Sequence, residues 1–315
     1  MKAFCLFFSA VLAASAQQES SQSQTVRYDL NGNPIAAGSL SESKVKSGNG
    51  ESTTRVEYGL DASGQKIPLM SVEESRREAN GRTVTTRVVH RFDQSGVPAS
   101  SERVVAEEEK SGDRSTKKTL LYRADVNGNE VLDEQSVSRT NGASATTEVM
   151  RRGADGSLAL AERQTTTTEE TPGGGTKAQS VTYRRDGNGE LYVAEQEVKE
   201  TVKKGNQVVE TSAQYVRRGQ GTLELAEQKV SSAVTQPDGT VSKQVDVYGV
   251  AVPGLSSSPG SQPVLKERQT VEIRKGSNGS LVETTVSRKA TVDGGELGAP
   301  KVVSETLTTQ TKSNQ

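Results

Sequence analysis

The chain has 315 residues, 31% of them hydrophobic and 3% aromatic, with 30 Gly and no Trp. That is too little apolar mass for a thick Leu- and Phe-rich core, since globular domains usually carry about 45–50% apolar residues with Gly counted. Lys plus Arg number 39 against 40 Asp plus Glu, so the net charge of -1 leaves no electrostatic case for nucleic acid or an anionic membrane surface.

Residues 1–16 have the form of a secretory signal peptide. Lys2 gives a positive start, Ala3 to Ala14 form an apolar stretch, and Ala14-Ser15-Ala16 meets the small-x-small cleavage rule. The mature chain is expected to begin at Gln17 and to reach the periplasm, the cell surface or the medium. The one cysteine, Cys5, lies in that leader, so disulfides, thiol nucleophiles and cysteine metal ligands are not expected. No later apolar run approaches the length of a spanning helix, and a mature chain with no transmembrane segment is expected.

Residues 17–252 form a repeat region. One series of turn glycines, Gly32, Gly64, Gly96, Gly128, Gly156, Gly189 and Gly221, advances in steps of 32, 32, 32, 28, 33 and 32. A second series falls midway: Gly50, Gly81, Gly112, Gly142, Gly175, Gly205 and Gly239. Asn or Asp precedes many of them, as at Asn80, Asn127, Asp155 and Asn188, and such dipeptides suit the type I′ turn of a β-hairpin. Between turns the chain alternates apolar and polar residues, with an aromatic near the end of one strand type: Val56-Tyr58, Val88-Phe92, Leu120-Tyr122, Val181-Tyr183 and Ala213-Tyr215. The following strand reads apolar-x-apolar-x-Glu, as in Leu158-Ala159-Leu160-Ala161-Glu162, Leu191 to Glu195 and Leu223 to Glu227. Residues 253–263 are a Pro/Gly/Ser loop too rich in breakers for a ladder. Residues 264–315 continue the repeat, with turns at Asn278-Gly279 and Asp293-Gly294 and a frayed tail.

The predicted fold class is all-β, an antiparallel meander of about nine tandem ~32-residue hairpins, each too small to be stable alone. An open, twisted and coiled sheet is the expected form, on the order of 85 Å across its strands; a closed barrel or a propeller-like arrangement is the alternative. A propeller calls for a period twice the one found. An outer-membrane barrel calls for an apolar outward band, which strands rich in Thr, Glu, Lys and Arg do not supply. A disordered chain has no reason to space its turns evenly.

Candidate sites are few. His90 is the only histidine and has no cysteine or second histidine to join it. Asp29-Asn31, Asp125-Asn127 and Asp186-Asn188 place oxygens at the first and third positions of a calcium-type loop, but the glycine that such a loop needs at its sixth position is absent. Gly173-Gly174-Gly175 lacks the Lys-Ser/Thr of a phosphate loop and reads as a turn. The most regular polar feature is a glutamate column, Glu102, Glu134, Glu162, Glu195, Glu227 and Glu267, read as a charge ladder paired with Arg or Lys of the intervening strands and shielding sheet edges. The aromatics are expected to be buried against Val and Leu rows.

The segments Tyr28 to Asn33, Tyr122 to Gly128 and Tyr183 to Gly189 resemble the YD (Rhs-type) β-hairpin repeats of bacterial secreted shell proteins, at their Tyr, Asp and Gly positions. That resemblance implies a spiralled shell. The composition is also similar to that of spirochaetal outer-surface lipoproteins with single-layer sheets. No nucleophile, base and orienter can be named, and no cofactor is expected. The reading is an exported non-enzymatic β-repeat protein with a structural, adhesive or surface-scaffold role. The alternative is a protein that binds a glycan or another cell-surface or extracellular macromolecule through one sheet face or the 253–263 loop.

Overall fold

The computed structural model describes residues 17–29, 33–61, 63–217, 221–249, 263–276, 280–289 and 297–314. The leader, Asn31, Gly32, most of the 253–263 loop, Gly279 and Gly294 lie outside them. Eighteen strands follow one another: β1 (Gln17–Tyr28), β2 (Pro34–Ser47), β3 (Gly50–Leu60), β4 (Lys66–Ala79), β5 (Arg82–Phe92), β6 (Pro98–Ser111), β7 (Arg114–Ala124), β8 (Glu130–Asn141) and β9 (Ser144–Arg152). The second half comprises β10 (Leu158–Thr171), β11 (Gly175–Arg185), β12 (Leu191–Lys204), β13 (Gln207–Arg217), β14 (Leu223–Thr235), β15 (Val241–Gly249), β16 (Val264–Lys275), β17 (Leu281–Lys289) and β18 (Lys301–Asn314). Each strand pairs antiparallel with the next, as short hairpins dictate.

The meander closes. β1 pairs with β18 over eleven residue partners, from Gln17↔Asn314 to Arg27↔Ser304. The expected open sheet is thus corrected to the barrel named as its alternative. The reason is cumulative stagger. Following ladder partners from Gln17 gives Lys46, Glu51, Arg76, Thr85, Ala106, Thr119, Ser136, Val149, Glu162, Arg184 and Tyr192. The line starts at one end of β1 and arrives near the opposite end of β12. A stagger of one sense, added to strand twist, curls the sheet into a barrel. Closure also pairs the backbone groups that two free edges would leave open, so the glutamate column has no edge to shield.

The two rims differ in most of their turns. At one rim, here the upper, Asp61–Gln65, Asp93–Val97, Asp125–Asn129, Gly153–Ser157 and Asp186–Glu190 share one pattern. The first residue's N–H donates to the last carbonyl, and the N–H of the fourth residue, a glycine, donates to the first carbonyl. Gly64, Gly96, Gly128, Gly156 and Gly189 all take positive φ there, as in a type I turn closed by a left-handed glycine. At the lower rim, Asn80-Gly81 has positive φ at both residues, the type I′ turn expected. In four further turns of that rim Gly48, Gly112, Gly142 and Gly205 come first and carry the positive φ, which is type II′ geometry, whereas between β10 and β11 both Gly173 and Gly174 take positive φ, and Gln236–Thr240 repeats the upper-rim pattern with Gly239. Gly50 and Gly175 are therefore first strand residues, not turn centres.

Very little is buried. Among the described residues only Val72, Val89 and Ala194 are buried apolar side chains. Stability rests on the ladder itself and on cross-strand side-chain pairs of about 0.2–1 kcal/mol each.

Candidate functional site

In a closed barrel inward side chains converge and outward ones diverge. The register divides every strand into two faces, and one of them holds Val72, Val89, Thr182, Ala194 and Ser287, all buried. The same face lines a recess of about 280 Å³ formed by Glu42, Thr53, Arg55, Met70, Val72, Glu74 and Arg87. This concave face is the lumen wall.

A β-bulge decides which residues reach it. In the hairpins joined at the upper rim, the ladder slips by one residue just below the turn: between Glu57 and Tyr58, Arg91 and Phe92, Leu121 and Tyr122, Thr182 and Tyr183, Gln214 and Tyr215, and Val247 and Tyr248. The extra residue is opposite, as at Ala194 and Ala226; Ala161 plays that part against β9. Strict alternation would put Leu158, Leu160 and Glu162 on one face. The extra Ala161 leaves both leucines outward and turns Glu162 into the lumen.

All six glutamates of the column point inward by this device, and basic side chains of the intervening strands meet most of them. Arg123 bonds Glu102 at 3.2 Å and Asp133 at 2.8 Å. Arg151 bonds Glu134 at 2.9 Å. Arg184 bridges Glu162 at 3.2 Å and Glu195 at 2.8 Å. Lys229 lies 2.6 Å from Glu227, while Glu267 accepts from Ser287 and Gln269 at 2.7 and 2.9 Å. The result is an arc of paired charge along the lumen wall from β6 to β16, its signal in the sequence being the Glu spacing. Pairing with basic residues of the intervening strands was expected and is seen at Arg123, Arg151 and Arg184, but those individual residues and the β2–β5 recess were not singled out, because one Arg or Glu in an alternating strand looks like any other.

Eighteen strands tilted by about 40° make a barrel roughly 35 Å across its backbone, leaving on the order of 20 Å between facing side chains. That is room for water and for polar solutes.

The outer wall carries the other face. Tyr28, Tyr58, Phe92, Tyr122, Tyr183, Tyr215 and Tyr248 form a belt just below the upper rim, each half-buried rather than buried as expected. Lys66 stands 4.1 Å over the Tyr58 ring and Arg103 4.1 Å over Tyr122. Lower down the outer wall is polar, with Glu148 paired to Arg163 at 2.8 Å and to Arg139 at 3.6 Å.

The calcium-loop candidates serve turn closure. Asp125 Oδ1 accepts the N–H groups of Asn127 and Asn129 at 2.8 and 2.9 Å, and Asp186 Oδ1 those of Asn188 and Glu190, both at 2.9 Å. Asp29 Oδ1 accepts from Asn33 N–H at 2.8 Å. These bonds hold the Asp125 carboxyl below the usual carboxylate range, the Asn129 N–H contributing most. Among the described residues no three His, Cys, Asp or Glu are grouped to hold a metal ion. His90 lies in β5 opposite Ser71 and Ser101, and Gly173 and Gly174 form the turn between β10 and β11.

No family model matches the chain, and no curated protein sequence does. Its fold is similar to that of solved Pseudomonas aeruginosa barrels. The outer membrane protein OpdK superposes with a TM-score of 0.59 at 8% identity, over 95% of this chain and 99% of that one. OccK3 (OpdO) does so at 0.57 and 9%, over 95% of both. OccK2 (OpdF), solved with glucuronate, gives 0.52 and 8%, over 96% of this chain and 98% of that one. These neighbours are outer-membrane barrels and not the hairpin-repeat shells that the Tyr/Asp/Gly segments resemble. They also overturn the expectation of a mature chain without a transmembrane segment. No helix among the described residues is long and apolar enough to cross a membrane, but a barrel crosses with strands. Strands of 9 to 14 residues meet the roughly 9–11 residues that a tilted crossing needs.

Proposed function

We propose that the chain is exported by residues 1–16 and forms a non-enzymatic, water-filled channel of an outer membrane. The observation that carries this reading is the closed wall whose bulges turn the glutamate column into the lumen. A charged arc inside a wide barrel keeps the passage hydrated, and its paired Arg and Glu leave it passable to small polar solutes. The likeness to OpdK supports the fold on which the reading rests.

The test is a planar-bilayer recording with residues 17–315. Discrete conductance steps are expected. Replacing Glu134, Glu162 and Glu195 together by Gln removes negative charge from the lumen, and the reversal potential in a salt gradient should move toward anion preference. A protein that inserts without any steps, or whose ion preference ignores the three exchanges, refutes the channel. The charge pairs on the outer wall below the aromatic belt favour a second reading, an exported scaffold presenting a polar β surface; a folded barrel that stays in water and never conducts would establish it.

A further inference from the structure

Resting on the channel reading, we infer that the outer wall of β11–β14 is a lipid-binding site. Arg185 and Arg217 hold a phosphate-bearing headgroup, and its acyl chains lie along β13 and β14. The whole chain is near neutral, at -1, so the case is a local one. Three successive odd strands, β9, β11 and β13, end in Arg152, Arg185 and Arg217, all exposed. Each is the ladder partner of a leucine of the outer face, Leu158, Leu191 or Leu223. Two residues lower on that face stand Met150, Tyr183 and Tyr215, the latter two in the aromatic belt. By contrast β3, β5 and β7 end in Leu60, Phe92 and Ala124. A cation just above a tyrosine belt stands at the level of lipid headgroups in a spanning barrel.

Between β12 and β13 this row opens into a recess. Their ladder stops at Glu195↔Val216, and the gap above it encloses about 830 Å³, with Arg184, Arg185, Glu190, Tyr192 and Arg217 in its walls. The inward Arg184 is committed to Glu162 and Glu195, and Asp186 Oδ1 to the N–H groups of Asn188 and Glu190. Glu190 is left to oppose two outward guanidiniums. Arg217 stands 5.2 Å over the Tyr192 ring, and among the described residues no carboxylate pairs with Arg185. Guanidinium forks match phosphate oxygens. Strands two apart set these arginines about 10 Å from each other at the backbone, within reach of one phosphate. The wall below selects a lipid over a soluble anion. On the outer face of β13–β14 the ladder from Tyr215↔Leu225 to Gln207↔Val234 carries no charge, over about 30 Å of strand. The hairpins β9–β10 and β15–β16 interrupt theirs with Arg163–Glu148 and Arg268–Asp246.

The chain has no tryptophan, so one introduced at a time reports its own surroundings. Ala213→Trp on β13 and Val56→Trp on β3 each lie two residues below a belt tyrosine, Tyr215 or Tyr58. Both are reconstituted in phosphatidylcholine with a minor share of phosphatidic acid, bromine being placed on the acyl chains of one lipid or the other. Brominated phosphatidylcholine should quench the two alike. Brominated phosphatidic acid should quench Val56→Trp in proportion to its share, and Ala213→Trp about fivefold beyond it. Arg185→Gln with Arg217→Gln should remove that excess and leave the circular dichroism spectrum unchanged. Arg185→Lys with Arg217→Lys keeps the charge without the fork and should keep only part of it. Proportionate quenching at both positions, an equal excess at both, or an excess that survives the glutamine pair overturns the site. An excess abolished by inorganic phosphate overturns the lipid as occupant. Conductance is read on the same samples. Steps without the excess spare the channel and overturn the site; the excess without steps does the reverse; no quenching by either lipid refutes both.

Discussion

Removing Arg268 should destabilise the barrel more than removing its partner Asp246. The two stand opposite each other in β15 and β16, with Arg268 Nε and Nη2 each donating to an Asp246 oxygen at 2.7 Å. Asp246 is only 7% exposed, whereas the Arg268 side chain is 36% exposed. In Arg268→Ala the buried carboxylate keeps only the Gln244 amide, at 3.2 and 3.3 Å, a loss of about 3 kcal/mol. In Asp246→Ala the guanidinium turns to water, and the loss is about 1 kcal/mol. The double variant should resemble Asp246→Ala, because no stranded charge remains, giving a coupling of about 2–3 kcal/mol between the sites. Guanidinium unfolding of the refolded barrel, followed by circular dichroism, measures all four proteins. Equal single losses, or losses that simply add, would refute the argument that burial of the acid governs the pair.

Closure is testable by cross-linking. Ser23 and Thr308 face each other across the β1–β18 seam with hydroxyls 3.0 Å apart, so Ser23→Cys with Thr308→Cys should oxidise to a disulfide in the folded chain; an open sheet would hold them on the order of 80 Å apart, and no bond would form. Acid should loosen the turns. The carboxyls of Asp61, Asp155 and Asp238 lie below their ordinary range, Ser63 Oγ, Ser157 Oγ and the Thr240 N–H being the leading donors. A folded-state value below the unfolded one, near 3.9, stabilises above that pH and is lost as pH falls through the folded value. Thermal melts should be level from neutral pH to about 5 and fall below about 4; a decline that begins near pH 7 would contradict this origin.

The hairpins were legible in the residues because a turn is a local object. Asp61 or Asp125 four positions before its bonded partner, with glycine between, closes the chain wherever it occurs, and period-two alternation follows from the pleat. The glutamate column was legible too, but not its direction. Counting by twos from Leu158 puts Glu162 with the leucines, and only the extra Ala161, recognisable afterwards at Ala194 and Ala226, reverses it. The aromatic belt was visible as a repeat, though its placement outside had to await a curved wall with an inside. Closure was invisible for a different reason. No residue pair encodes it: each ladder contributes a small stagger and twist, and the meeting of Gln17 with Asn314 is their sum over all the strands. Sequence by itself determined the hairpin, whose energy is settled between neighbours; the barrel, its lumen and its two faces were decided only when those increments were added around a circle.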